Sequence, residues 1–306
     1  SVDLTDKGND WLANQVNGGQ YKTKAVLTAD IDLGDYAWTP IGGTTTAKAY
    51  QGAFDGKGHT VKGLYINNAT ATYQALFAYL KDATISNVTV EGEVSAKQYV
   101  AGIVANMGAN STIDRCVNNA KITGASTYVG GITGYAGVQT AKVTNSYNTG
   151  NITGTTNCGG VAGSNNASAV IENVFNVGAV EGTTVGACVG GTTKKDNVKN
   201  AFATQEYGIV TSQTTVTDEQ MKSGYVARLL GEAFGQVLGT DAHPVIDGPK
   251  VFLVKYTSNL SEESDSLFTN GALPEFEPVS GLYPTWLTAE DGEAISEVTS
   301  DSTLLR

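Results

Sequence analysis

The sequence is poor in proline, cysteine and histidine. Its 306 residues include six prolines, three cysteines and two histidines. All six prolines lie outside residues 41–243. A long segment without proline suits a continuous sheet, because proline has no N–H group to donate to a neighbouring strand. Three cysteines cannot all pair, so we predict buried free thiols that pack as small apolar groups rather than a disulfide framework.

Basic charge and catalytic motifs are scarce as well. The chain has 19 Lys and Arg against 30 Asp and Glu, a formal net charge of −11. This balance argues against nucleic-acid partners and anionic membranes, because both depend on clusters of Lys and Arg. No apolar stretch of about 18 residues is present, so we predict no membrane insertion. The patterns His-Glu-x-x-His, Gly-x-Ser-x-Gly and Cys-x-x-Cys are absent, which excludes the standard zinc-peptidase, serine-hydrolase and zinc-ribbon motifs.

What the sequence does contain is an internal repeat of 27 to 29 residues. An apolar block opens each unit, and about twelve residues later a second block alternates with period two, as a half-buried strand does. The opening blocks are Tyr73-Gln-Ala-Leu-Phe-Ala, Val100-Ala-Gly-Ile-Val-Ala, Val129-Gly-Gly-Ile-Thr-Gly, Cys158-Gly-Gly-Val-Ala-Gly and Val185-Gly-Ala-Cys-Val-Gly. Three short strands per unit are typical of one coil of a parallel β-helix, whereas a propeller blade needs about 40 residues. We predict an all-β, right-handed parallel β-helix.

Stacked coils place equivalent residues in columns. The predicted interior column of the first strand is Leu76, Ile103, Ile132, Val161 and Cys188, and that of the second strand is Ile85, Ile113, Val143, Ile171 and Val198. Asn118, Asn148 and Asn176 share a column at the turn after the second strand. Such a column is either a ladder of amides that supports the turn or a polar binding stripe.

Four segments are predicted along the chain. They are an N-terminal cap with the first coils at 1–72, repeated coils at 73–206, a capping helix and its connection at 207–247, and a small β-grasp-like module at 248–306. The sequence Thr217-Asp-Glu-Gln220 is a capping box that marks the start of the helix. We expect this helix to cover the open end of the solenoid. The alternative, an amphipathic membrane helix, would have only Lys222 and Arg228 as cations.

Two segments before the repeats carry a family resemblance. Residues 29–43 and 50–64, the latter containing Phe54-Asp-Gly-Lys-Gly-His59, precede coils with the pattern Gly130-Gly-Ile132. Together they resemble bacterial surface proteins that carry the GLUG motif, over roughly residues 10 to 250. The resemblance implies a parallel β-helix in a secreted or cell-surface, adhesin-like protein, or in the non-catalytic part of an IgA-type metallopeptidase.

The C-terminal segment carries a second resemblance. Residues 273–276, 281–292 and 298–305 resemble one Listeria-Bacteroides repeat, a small β-grasp-like module of Gram-positive surface proteins. Trp286 matches the tryptophan of that family's Gly-Trp-Tyr motif, although Thr285 and Leu287 flank it here. About 55 residues bury little apolar surface, so the module is expected to lean on its neighbour.

One acidic cluster is a candidate calcium site. Asp30, Asp32 and Asp35 offer hard oxygen ligands at the spacing of a calcium loop, but they lack the glycine and the distal glutamate of an EF-hand. The alternative is that Ile31 and Leu33 point inward while the three carboxylates face water. Apart from this possible calcium site, no cofactor is predicted.

Function is predicted from the surface of the solenoid. Tyr128, Tyr135 and Tyr147 are the candidate ligand-binding residues, as outward aromatic rings for a host or dietary glycan or a host surface protein. We predict an extracellular binding or stalk region, with no catalytic residues and no enzymatic activity. The competing hypothesis is a polysaccharide hydrolase or lyase, since β-helices also host such enzymes; it would need two carboxylates held about 5 to 10 Å apart.

Overall fold

The computed structural model describes residues 1–165, 169–191, 194–207, 213–258, 263–277 and 284–306. Two compact units, Ser1–Val216 and Thr217–Arg306, make up the chain. Each is described by itself below. The opening of the predicted segment 281–292 lies outside the described residues.

The first unit is a parallel β-solenoid, which confirms the predicted fold class at the level of the parallel β-helix. Its strands are β1 (Val2–Asp3), β2 (Ala25–Val26), β3 (Ile31–Asp32), β4 (Ala53–Asp55), β5 (Thr60–Gln74), β6 (Phe77–Leu80), β7 (Thr84–Ser86), β8 (Thr89–Val100), β9 (Val104–Met107), β10 (Thr112–Asp114), β11 (Val117–Asn118), β12 (Lys121–Gly124), β13 (Thr127–Gly130), β14 (Thr133–Ala136), β15 (Lys142–Asn148), β16 (Ile152–Thr153), β17 (Thr156–Gly159), β18 (Ala162–Ser164), β19 (Val170–Asn176), β20 (Val180–Glu181), β21 (Val185–Gly186), β22 (Val189–Gly191), β23 (Val198–Ala203) and β24 (Thr214–Thr215).

These strands form two parallel sheets. Nineteen of them belong to one continuous sheet, and the other five stack in the order β22-β18-β14-β9-β6. One column, buried from its second member onward, runs through eight rungs, and consecutive members pair in register. Its members are Val2, Ala25, Phe54, Ile85, Ile113, Val143, Ile171 and Val198.

Both predicted interior columns are confirmed, because all ten of their side chains are buried. The three cysteines are buried and free, as predicted. Burial raises the pKa of the thiols of Cys116, Cys158 and Cys188 to about 12. The thiols are therefore protonated at neutral pH and act as apolar packing groups.

A short helix that sequence patterns did not indicate lies near the N-terminal end. Helix α1 (Trp11–Asn17) buries Leu12, Ala13 and Val16 in the same hydrophobic core as the first coils. Its preceding residue, Asp10, makes no side-chain capping bond. The helix therefore depends on burial of its apolar face more than on local capping signals.

The second unit opens with two short helices, α2 (Asp218–Lys222) and α3 (Tyr225–Leu230). The predicted capping box is confirmed: the Gln220 N–H donates to Thr217 Oγ1 at 3.1 Å, and the Thr217 N–H donates to Gln220 Oε1 at 2.9 Å. A glycine in the left-handed region, Gly224 at φ 88°, separates the helices. The expected role of this segment as the cover of the solenoid stays a prediction. No helix within the described residues is long and apolar enough to cross a membrane.

A small sheet module completes the second unit, as predicted. Strands β25 (Phe234–Gly235) and β26 (Val245–Ile246) form an antiparallel pair. Strands β27 (Phe252–Thr257), β28 (Ser264–Thr269), β29 (Leu287–Thr288) and β30 (Ser302–Leu305) form a sheet in the order β28-β27-β30-β29. The central pair β27 and β30 is parallel, and the outer pairs are antiparallel. Trp286 is buried in the core of this sheet.

An ion pair in the second unit should make its stability depend on pH. Arg228 donates to both carboxylate oxygens of Asp301, at 2.5 and 2.7 Å, and the Leu253 N–H donates to the same carboxylate at 2.9 Å. The Arg228 bonds, followed by the Leu253 bond, hold the pKa of Asp301 below its ordinary value. The ionised carboxylate therefore adds stability above the unfolded pKa of about 3.9, and this stability is lost as pH falls through the lower folded pKa.

We expect Asp301→Asn to remove this acid-sensitive contribution. The Asp301 side chain is 53% exposed, so solvent screening limits the contribution to below about 1 kcal/mol. Hydrogen exchange of the Leu253 amide, corrected for intrinsic exchange and followed from pH 6 to pH 3, would show less pH dependence in the variant. The control is Glu290→Gln, at an exposed residue of the same unit. Identical pH profiles for the wild type and Asp301→Asn would contradict the prediction.

Candidate functional site: a tyrosine patch on the solenoid

Five half-buried tyrosines lie together on the outside of the solenoid, and we call them the tyrosine patch. They are Tyr73, Tyr79, Tyr99, Tyr128 and Tyr135. The rings of Tyr73 and Tyr99 stack with centroids 4.5 Å apart and planes 3° apart. Tyr99 and Tyr128 stack at 4.9 Å. Tyr135 packs 4.7 Å from Tyr128 and meets Tyr99 edge-on at 5.8 Å, and Tyr79 lies 6.2 Å from Tyr73.

The register of the coils brings these rings together. Tyr73, Tyr99 and Tyr128 are one column, since Gln74 pairs with Val100 and Val100 pairs with Val129. In the five-stranded sheet, Tyr79 and Tyr135 flank Asn106, which pairs in register with both. The patch therefore spans both sheets and three successive coils.

The three tyrosines of the stacked column have a left-handed backbone. Their φ angles are 58° at Tyr73, 54° at Tyr99 and 65° at Tyr128. This region is costly for bulky residues and is tolerated best by glycine and asparagine. The next residue of the column is Asn157, at φ 51°. At another corner of the coils with the same backbone, the chain mostly uses asparagine: Asn87, Asn145, Asn173 and Asn200.

Tyrosine therefore occupies these three positions although their left-handed backbone disfavours a bulky residue. Stacking between the rings offsets part of the strain, and Tyr73 and Tyr99 also cover the small cluster of Ala75, Ala101 and Ala105. Strain that persists at one surface position in three coils points to a function for the side chains placed there.

The patch stands on strands of both sheets, such as β13 with Tyr128 and β14 with Tyr135, and we call these two sets of strands its limbs. Glycines allow the two limbs to approach closely. A Cβ at Gly134 would lie 2.8 Å from the carbonyl oxygen of Tyr128, and a Cβ at Gly163 would lie 2.6 Å from the backbone nitrogen of Val129. Both positions belong to the repeated Gly-Gly-x-x-Gly pattern. The glycines of the repeat thus set the separation of the limbs on which Tyr128 and Tyr135 stand.

The patch consists of tyrosine side chains and contains no Asp, Glu, Lys or Arg. Burial, followed by the neighbouring tyrosines, raises the pKa of Tyr99 to about 12. Burial, followed by the neighbouring Tyr73, also raises the pKa of Tyr79, which pairs with Asn106 in the five-stranded sheet. The surface offers flat aromatic faces bordered by hydroxyl and amide groups.

Two of the three predicted binding tyrosines, Tyr128 and Tyr135, lie in the patch. Tyr147 does not, and the prediction that its ring faces outward is corrected. It is 8% exposed and stacks on Phe175 of the next coil at 4.5 Å. The physical reason is its column, in which Tyr147 lies between two apolar residues, Val117 and Phe175.

The predicted asparagine column is fully inside the solenoid. Asn118, Asn148 and Asn176 are buried, and each amide nitrogen donates to the backbone carbonyl two residues later. Asn118 also donates to Asn148 Oδ1, and Asn148 to Asn176 Oδ1, both at 2.7 Å. The column is an internal amide ladder that ties three coils together, and it offers no surface to a ligand.

Each of these amides occupies space left by a glycine. A Cβ at Gly102 would lie 1.9 Å from Asn118 Oδ1, one at Gly131 would lie 2.3 Å from Asn148 Oδ1, and one at Gly160 would lie 2.1 Å from Asn176 Cγ. In the following coil the equivalent of Asn176 is Ala203, and the equivalent of Gly160 is Ala187. This coil thus has alanine at both of the positions that hold glycine and asparagine in the coils before it. The second glycine of the Gly-Gly-x-x-Gly pattern is therefore explained by the asparagine amide for which it leaves space.

The acidic cluster is spread out on the surface. Asp30 binds Lys62 at 3.2 Å and lies 3.4 Å from the His59 ring, whereas Asp32 accepts the Gly34 N–H. Leu33 is buried and Asp35 is exposed at a left-handed turn. Within the described residues, no group of three or more His, Cys, Asp or Glu side chains could hold a metal ion.

Comparison with known proteins bears on the fold. No family model matches the chain, and no curated protein matches it. Among solved structures it is similar to a protein from Bacteroides ovatus, solved at 1.30 Å resolution and described as a "putative immunoglobulin A1 protease". The TM-score is 0.54 at 19% identity, over 77% of this chain and 90% of that chain. At this identity the likeness shows a shared fold.

This comparison corrects the prediction that the chain is not an enzyme. A protein of similar fold is described as a "putative immunoglobulin A1 protease". The absence of three sequence motifs does not exclude catalysis, because catalytic residues can be assembled across coils that are far apart in sequence. The resemblances to GLUG-motif proteins and to a Listeria-Bacteroides repeat stay predictions.

Sequence reasoning missed Tyr73, Tyr79 and Tyr99. The signal was present: Tyr99 and Tyr128 each stand one residue before the apolar block of their unit. The spacing of the apolar blocks sets Tyr73 opposite Val100, whereas the structure pairs Gln74 with Val100. The cause is a one-residue change of register after Gln74, because Phe77 pairs with Val104.

Proposed function

We propose that the solenoid is the extracellular glycan-binding region of a bacterial surface protein and that the tyrosine patch is its binding face. The observation that carries the proposal is the column of three stacked tyrosines on left-handed backbone, joined by two more rings across the limbs. The sequence resemblance to surface proteins supports the extracellular placement.

The chemistry of the patch favours a sugar. The apolar face of a sugar ring packs against an aromatic face, while its hydroxyl groups need donors and acceptors at the rim. Asn106 and Asn157 supply amides beside the rings, and Asn157 is held by a 3.0 Å bond to Thr127. Rings that stand in a fixed stack lose little conformational entropy on binding.

The variants Tyr99→Asn and Tyr128→Asn test the proposal. Asparagine is the residue that this column itself uses at Asn157, so it removes the ring without disturbing the left-handed backbone. On a glycan array followed by calorimetry, we expect each variant to bind about fivefold more weakly than the wild type, since one aromatic contact contributes roughly 1 kcal/mol beyond its area.

The matched control is Tyr36→Asn, because Tyr36 is 80% exposed and stands outside the patch. Its affinity should equal that of the wild type. Unchanged affinity in Tyr99→Asn and Tyr128→Asn would contradict the proposal, as would binding confined to unglycosylated proteins on a parallel protein array.

A second candidate function is a peptidase, favoured by the description of the Bacteroides ovatus protein. The same purified chain should therefore be incubated with candidate glycoprotein ligands, and new peptide termini and released reducing sugar should be measured. Peptide release would favour the peptidase candidate, and sugar release would favour a glycan-active enzyme. In either case the tyrosine patch becomes a candidate substrate-binding surface, which the same two variants test through the KM.

A further inference from the structure

We propose that a recess at the N-terminal end of the tyrosine patch binds a carboxylated sugar residue of the glycan. This inference rests on the proposed function and names the class of ligand. The recess has a volume of about 300 Å³, and its lining includes Asn17, Tyr21, Pro40, Lys48, Tyr73 and Gln74. Because Tyr73 belongs both to this lining and to the patch, a glycan stacked along the tyrosines would continue into the recess.

The recess is a preformed structure. The Asn17 amide nitrogen donates to the Pro40 carbonyl at 3.1 Å, and the Gly42 N–H donates to Asn17 Oδ1 at 2.9 Å. These two bonds fix the segment around Pro40 against the helix α1. The volume is at the lower end of the range of about 300 to 1,000 Å³ for small-molecule sites, which suits a terminal sugar better than an extended chain.

The charge of the lining selects the ligand. Lys48 is exposed, and no ion pair joins it to a described residue. A second recess, of about 400 Å³, is lined by Gly19, Gln20, Tyr21, Lys22, Thr23 and Gln51, and it shares Tyr21 with the first. The two linings contain two lysines and no carboxylate from the described residues, in a chain of net charge −11.

A carboxylate is therefore the group that the recess complements. The ammonium group of Lys48 is a point charge on a flexible stem, which reaches a carboxylate in the recess without demanding a fixed geometry. Lys22 belongs to the lining of the second recess. The tyrosine patch would hold the uncharged part of the same glycan. The site thus combines ring stacking along three coils with one charge contact at its end.

The experiment uses the full chain and an array of matched oligosaccharides, each present as the free carboxylic acid and as its methyl ester. We expect the wild type to bind the acid about threefold to fivefold more tightly than the ester, since a solvent-exposed ion pair contributes up to about 1 kcal/mol. Lys48→Gln should abolish this preference and leave binding of the ester unchanged. The preference should also fall as salt concentration rises.

The charge-matched control is Lys142→Gln, at an exposed residue in the column that contains Thr84 and Thr112. It should keep the full preference. Equal binding of acid and ester by the wild type, or an unchanged preference in Lys48→Gln, would overturn the inference. The variant Tyr99→Asn distinguishes failure of this inference from failure of the proposed function, because it should weaken binding of the acid and the ester alike. If Tyr99→Asn binds both as tightly as the wild type does, the proposed function itself is overturned.

Discussion

Gly102→Ala and Asn118→Ala are expected to cost less stability together than the sum of their separate costs. The Cβ added at Gly102 would lie 1.9 Å from Asn118 Oδ1 and 2.7 Å from Asn118 Cγ. Overpacking of this kind costs about 1 to 3 kcal/mol. Truncating Asn118 removes its bonds to Ala120 and Asn148 inside the solenoid, which costs about 1 to 3 kcal/mol for each buried group left without a partner.

The double variant relieves the clash, because the amide that the new methyl group would meet is gone. The chain contains this arrangement already, with Ala187 and Ala203 at the equivalent positions of a later coil. Between residues in direct contact, a coupling energy of about 1 to 2 kcal/mol is expected. The double variant remains less stable than the wild type, since the Gly131 carbonyl oxygen lies 3.0 Å from the added Cβ and Asn148 loses its partner.

Urea unfolding followed by far-ultraviolet circular dichroism measures the four members of this cycle. The control pair is Gly8→Ala with Asn119→Ala. A Cβ at Gly8 makes only an ordinary contact of 3.5 Å, and Asn119 is exposed. That pair should show small and additive costs. Additive costs for Gly102→Ala and Asn118→Ala would show that the glycine and the asparagine do not share one space.

The interior of the solenoid was predictable from the sequence, and the physical reason is its periodicity. Each coil has to bury the same face, so Ile85, Ile113 and Ile171 recur at equivalent positions. The small sheet around Trp286 was also predictable, from its apolar runs. Helix α1 was not, because it has no side-chain cap and is stabilised by tertiary burial.

The candidate site was harder to predict because it depends on register between coils. A one-residue change of register between Gln74 and Phe77 hides the column that Tyr73 forms with Tyr99. Outward and lateral positions also look alike in one sequence: Tyr128 is in the patch, whereas Tyr147 is covered by Phe175. The positive charge of the recess around Lys48 could not be predicted either, because the recess forms only when segments of the cap fold against the first coils.

Gly134→Ala is expected to destabilise the solenoid by about 3 kcal/mol and to weaken ligand binding by the tyrosine patch. The added Cβ would lie 2.7 Å from the Ala105 carbonyl oxygen, 2.8 Å from the Tyr128 carbonyl oxygen and 2.9 Å from the Val100 nitrogen. All three are backbone atoms of packed strands, so no side-chain rotation relieves the contact. The limbs must separate, and the 4.7 Å contact between Tyr128 and Tyr135 is lost with them.

A variant at Gly137, three residues after Gly134, distinguishes the loss of stability from the loss of ligand binding. A Cβ at Gly137 would lie 1.9 Å from Cε1 of the Tyr135 ring, and its three nearest atoms all belong to that side chain. The ring can rotate away, so Gly137→Ala should weaken glycan binding while costing less stability than Gly134→Ala. Urea unfolding and calorimetry on the two variants would check both parts. If Gly134→Ala unfolds at the same urea concentration as the wild type, the glycines of this repeat are not needed for the close approach of the limbs.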